Sequence, residues 1–168
     1  MSAVATKVWS ALDRGTIDLT RDQLLRVAVA RGCRHYAPLL PPNATPVDVP
    51  DLPHEVLGAA LLRGPADADT FQSIRCGAMV LSDLGNSPQR IVEASEHFGV
   101  VHRVAYLAQK GFEADHHPEF WTAILNALPP GSDEGQFLPG VSRLTSETRM
   151  AGPERKPGRT WLRTRYAR

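Results

Sequence analysis

The sequence predicts an all-α protein: a compact bundle of about six or seven short antiparallel helices, a Pro-rich connector at 38–50 and an irregular C-terminal tail. Three observations predict it. Apolar residues recur at helical spacing through most of the first 130 positions. Glycines, prolines and capping residues interrupt that pattern about every dozen residues, which sets short helices with short links. From residue 131 onward the period disappears and Gly, Pro, Ser, Thr and Arg dominate. The expected organisation is a helical domain over 1–130, with its core segment at 51–128, and a basic tail over 131–168 that is at most partly ordered.

The first helix is expected over 2–14, where Val4, Val8 and Leu12 share one stripe with Trp9 beside it. Gly15 ends it. Thr20 opens the next helix, and Gln23 three residues on completes a capping box in which each side chain satisfies the other's free backbone N–H. Leu24, Val27 and Ala28 form its inner face with Leu25 flanking, Arg31 suits the negative end of its dipole, and Gly32 supplies a left-handed stop. Pro38, Pro41, Pro42, Pro46 and Pro50 then exclude a regular helix and give an extended connector, with a short edge strand around Cys33–Tyr36.

Asp51 or Leu52 caps a third helix with Pro53 in its first turn. From Val56 to Leu62 nearly every residue is apolar or small, so this helix is buried on most sides and central. Gly64-Pro65 ends it, and Asp67, Asp69 or Thr70 starts the next, whose seam is Phe71, Ile74, Ala78 and Leu81. Gly85 stops that helix, Ser87 caps another and Pro88 takes its first position. Its inner face is Ile91, Ala94, Ser95 and Phe98, and Gly99 ends it. Val101, Val104, Ala105 and Ala108 face inward on the following helix, which Gly111 is expected to stop. Pro118 opens a last helix with Phe120, Trp121, Ile124, Leu125 and Leu128 turned inward, closed by Pro129-Pro130.

Bulk charge excludes little, because the net value is only +1. Its distribution is more informative. Residues 143–168 carry eight Lys or Arg against two Glu, a net of +6, whereas the preceding 142 residues carry 11 basic and 16 acidic side chains, a net of −5. An acidic body with a basic tail points to an anionic partner, nucleic acid or an acidic protein surface. The tail residues that would meet it are Arg155, Lys156, Arg159, Arg163 and Arg165, interleaved with Trp161 and Tyr166. Cations neutralise phosphates, aromatic rings stack on bases, and Gly/Pro spacing keeps such a segment pliable.

The helix pair at 87–111 fits the general helix-turn-helix pattern, with Ala94, Ser95 and Phe98 in the first helix, Gly99 at the turn, and Ala105 and Ala108 in the second. On that alignment His102, Arg103, Tyr106, Gln109 and Lys110 point outward toward base edges and phosphates. Two features oppose it. Val100-Val101 provides no Ser or Thr cap for a recognition helix, and Glu93 and Glu96 sit where phosphate would approach. The competing reading is a packed α-hairpin with a solvated polar face, used as a protein–protein adaptor through grooves between its helices.

Catalytic and metal motifs are lacking. His97 and His102 do not have the i, i+4 spacing of a helical metal pair, and Glu93 with His97 reads as a surface contact. Asp115, His116, His117 and Glu119 read as a capping turn at a helix start. Cys33 and Cys76 have no second Cys or His cluster for a structural zinc, and Cys76 packs as a small hydrophobe in an apolar run. No HExxH, P-loop, GxGxxG after a strand or GxSxG occurs. The sequence therefore predicts a non-enzymatic binding protein with no cofactor and no metal. With no signal-peptide pattern and no run of membrane-spanning length, it is expected in the cytoplasm with reduced thiols.

Overall fold

A computed structural model describes residues 20–40, 52–64 and 71–132. Among the described residues the chain is all-helical, with six α-helices, one 3-10 helix and no strand. The helices are α1 (Arg21–Ala30), α2 (His54–Leu61), α3 (Phe71–Leu81), α4 (Pro88–His97), α5 (Val101–Ala114) and α6 (Pro118–Ala127), with the 3-10 helix at Arg34–Leu39. The helix expected over 2–14, the connector beyond residue 40, the segment 65–70 and the tail beyond 132 lie outside the described residues.

α2 is the hub. Every residue from His54 to Leu61 is buried, as expected of a helix with almost no polar face. It packs most extensively on α3 and also against α4 and α1, while α6 closes the other side against α5 and α4. The α2–α3 approach is close because two glycines face each other. A Cβ on Gly77 would lie 2.8 Å from the Gly58 carbonyl oxygen and 2.9 Å from Leu61 Cβ, inside any real contact distance.

Local chemistry sets the helix ends. The Thr20–Gln23 capping box forms in both directions, the Gln23 N–H donating to Thr20 Oγ1 at 3.3 Å and the Thr20 N–H to Gln23 Oε1 at 3.1 Å. Gly99 takes φ +67° between α4 and α5, a conformation that L side chains rarely adopt.

Several expectations change. The N-cap of α2 is Pro53 rather than Asp51 or Leu52. Cys33–Tyr36 is not an edge strand. Tyr36 N–H donates to the Cys33 carbonyl at 3.0 Å and Leu40 N–H to that of Ala37 at 3.1 Å, so the chain satisfies itself in i, i+3 turns that tolerate Pro38. Ser87 occupies the N-cap position of α4, but its hydroxyl makes no cap bond; its N–H instead donates to Glu55 Oε1 at 2.9 Å. Gly111 does not stop α5, which continues to Ala114. The glycine makes room for Trp121, whose ring atoms lie 2.3 Å from where a Cβ on Gly111 would stand.

Candidate functional site

The face singled out by the sequence is on α5. His102 is exposed there, while Tyr106, Gln109 and Lys110 are half-buried. The i, i+4 and i+3 spacing of 102, 106 and 109 places them along one stripe of the helix. Lys110 Nζ pairs with Glu113 Oε2 at 2.9 Å and stands 5.9 Å from the centre of the Tyr106 ring. Its hydrogen bond to Glu113 raises the ammonium pKa above its ordinary value. The cation on this face is thus already matched by a neighbouring carboxylate.

Arg103 departs from the expectation that it points outward. It is only 8% exposed, and its guanidinium crosses to α2, donating from Nη1 to the Leu62 carbonyl and from Nη2 to the Gly64 carbonyl at 2.7 Å. The final carbonyls of a helix lack intrahelical partners, and a cation satisfies both their hydrogen bonding and the negative end of the dipole. Burial lowers the Arg103 pKa from its ordinary value, the cost of drawing the charge out of water. Its role in this fold is to finish α2.

The start of α4 is likewise occupied. The buried Glu55 carboxylate accepts from the N–H of Ser87, the N-cap residue of α4.

Two surface features have no counterpart in the sequence pattern. Phe112, in the last turn of α5, is 51% exposed. A shallow cleft of about 470 Å³ opens where the start of α1 meets the end of α2, lined by Thr20, Arg21, Leu24, Leu61, Arg63 and Ser73. Arg63 at its rim stacks 4.9 Å over the Phe98 ring, which meets His97 edge-on at 5.0 Å. Each lining residue sits at a helix end legible in the sequence, but nothing in the chain order says those ends meet.

The polar cluster at 115–119, expected as a capping turn, precedes α6 without a side-chain cap bond from its N-cap residue His117. Asp115 accepts from the His116 N–H at 2.8 Å and from Trp121 Nε1 at 2.6 Å, and His117 Nδ1 lies 3.1 Å from Glu119 Oε1. Among the described residues, no group of three or more His, Cys, Asp and Glu side chains is placed to hold a metal ion. Nor is any described helix long and apolar enough to cross a membrane. Arg155, Lys156, Arg159, Trp161, Arg163, Arg165 and Tyr166 lie outside the described residues.

Comparison with known protein families, with curated protein sequences and with solved structures finds no match to this chain.

Proposed function

We propose that this is a non-enzymatic binding protein in which the helical body is a scaffold and the basic aromatic segment contacts nucleic acid or a nucleoprotein. The carrying observation is the charge segregation, +6 over residues 143–168 against −5 over the rest. A polyanion would be drawn to the tail and repelled by the body, which also orients the complex. The helix pair supports this division of labour. With Arg103 engaged at the end of α2 and Lys110 paired to Glu113, α5 offers His102, Tyr106 and Gln109 for secondary contacts but little free positive charge.

The test is binding of single-stranded and duplex DNA and of RNA by the full chain across a salt series. Replacing Arg155, Lys156, Arg159 and Arg163 together with Gln should weaken binding and reduce the slope of log K against log salt by about 0.7–0.9 for each phosphate that is no longer neutralised. Equal affinity of wild type and variant would overturn the reading.

A second reading, a protein–protein adaptor, is favoured by the exposure of Phe112, one turn after Gln109 on α5, and by the cleft at the α1–α2 junction. Aromatic side chains at such positions commonly anchor protein interfaces. Phe112→Ser would abolish partner capture under this reading and leave nucleic-acid binding unchanged.

A further inference from the structure

Cys33 and Cys76, 43 positions apart in the chain, meet in the core. Both are fully buried, and their thiols are hydrogen-bonded to one another. The contact is one of two that tie this stretch to α3, Cys33 being the N-cap residue of the 3-10 helix and Tyr36 lying within it. Three residues beyond each cysteine, Tyr36 Oη donates to Met79 Sδ at 3.2 Å. The Tyr36 N–H donates to the Cys33 carbonyl at 3.0 Å, a turn that keeps those two residues together, and residues i and i+3 share a face on an α-helix, so the Tyr36–Met79 contact supports the meeting of Cys33 with Cys76.

We propose that Cys33 and Cys76 form a reversible intramolecular disulfide that staples the segment after α1 to α3 when the protein meets a small-molecule disulfide oxidant. No third His, Cys, Asp or Glu joins the pair among the described residues, which leaves two sulfurs where a structural zinc site needs four ligands.

The folded, reduced pair is dormant. Neither thiol is exposed, and the hydrogen bond to Cys33, followed by burial, raises the Cys76 pKa and keeps that thiol protonated, whereas attack needs a thiolate. Reaction therefore waits on opening of the 3-10 helix. That element is six residues long and contains Pro38, which donates no backbone hydrogen bond, so it belongs to the easily opened parts of the fold. Once it opens, the Cys33 thiolate attacks one sulfur of the oxidant, giving a mixed disulfide and releasing one thiolate. On reclosure the Cys76 thiolate attacks the Cys33 sulfur, forming the Cys33–Cys76 bond and releasing the second. Two protein thiols are oxidised, one small disulfide is reduced to two thiols, and the two protons end on those products.

The full chain should be incubated with oxidised glutathione, denatured, alkylated and mapped by mass spectrometry. The expected product is a monomer lighter by two hydrogens, with the Cys33 and Cys76 peptides linked. Its melting temperature should be raised by about 5 °C or more, because the link constrains the unfolded chain, and dithiothreitol should reverse the shift. Cys76→Ser should stop at a glutathione adduct on Cys33. The wild-type map needs no variant to fold. Persistent glutathione adducts on the wild type, links only between molecules, or two unmodified thiols after treatment in about 1 M urea, which favours local opening, would each overturn the proposal.

Discussion

Trp121 donates its indole N–H to Asp115 Oδ2 at 2.6 Å while the same ring lies flat on Gly111 one helix earlier. The link closes the α5–α6 corner, since Asp115 follows the end of α5 directly and also accepts from His116 N–H.

Gly111→Ala should therefore destabilise the protein, although Ala favours a helix by about 1 kcal/mol over Gly. A rigid indole cannot yield to a Cβ at 2.3 Å, and overpacking of this kind costs about 1–3 kcal/mol. Gly99→Ala should cost a similar amount, about 1–2 kcal/mol, for the opposite reason. No heavy atom lies near a Cβ at Gly99, and the penalty is its φ of +67°. Chemical denaturation of the two variants, each repeated with Trp121→Leu, separates the causes: only the Gly111 defect should shrink.

Arg103→Met should destabilise by about 2–4 kcal/mol, because it strips charged hydrogen bonds from the Leu62 and Gly64 carbonyls. His102→Ala should change stability by less than about 0.5 kcal/mol, since that residue is exposed. If Arg103→Met melted like wild type but bound nucleic acid more weakly, Arg103 would belong to a binding surface instead.

These contrasts mark what can be read from the chain. The Thr20–Gln23 box is local and legible, as is the positive φ at Gly99 between two apolar seams. Gly111 looks like a stop in sequence because its reason for being glycine, Trp121, lies on the next helix. Arg103 is more instructive. Val100, Arg103, Val104, Leu107 and Ala108 follow the i, i+3, i+4, i+7 period and all are buried, so the phase already places Arg103 inward. Residue type argues against phase, because a charge is normally solvated unless a fixed acceptor awaits it. The acceptors are carbonyls about 40 residues earlier, which no local pattern reveals. The same holds for Cys33 and Cys76, whose meeting depends on how the 3-10 helix lies on α3.

Glu55→Ala should cost about 1–3 kcal/mol by leaving the Ser87 N–H without its acceptor, whereas Glu55→Gln should stay within about 1 kcal/mol because the amide oxygen can still accept. Thermal melts of the two variants check the difference. Equal destabilisation would mean that the charge at the start of α4, rather than the hydrogen bond, matters.

Alkaline pH should weaken the fold before it affects the basic side chains. The hydrogen bond to Cys33 and burial raise the Cys76 pKa above its ordinary 9.0, and burial above all raises that of Tyr36 above 10.0. From about pH 9 upward the unfolded chain loses protons that the folded chain keeps, so stability is full below that range and falls as pH rises, by up to about 1.4 kcal/mol per pH unit for each group. Denaturation midpoints measured between about pH 8 and 11 should fall accordingly, and Tyr36→Phe should flatten the upper part of the profile.

Both ends of α2 are tied to the helix pair α4–α5: Glu55 near its start holds Ser87, and Arg103 holds the carbonyls at its finish. Many DNA-reading helix pairs are portable units that evolution and engineers move between proteins. This pair is not portable. Excised, it would leave behind a carboxylate and two carbonyls without partners and carry away a guanidinium without acceptors. Any piece of this chain that is transplanted or truncated with the pair must therefore keep α2, and with it α6, whose Trp121 packs on Gly111.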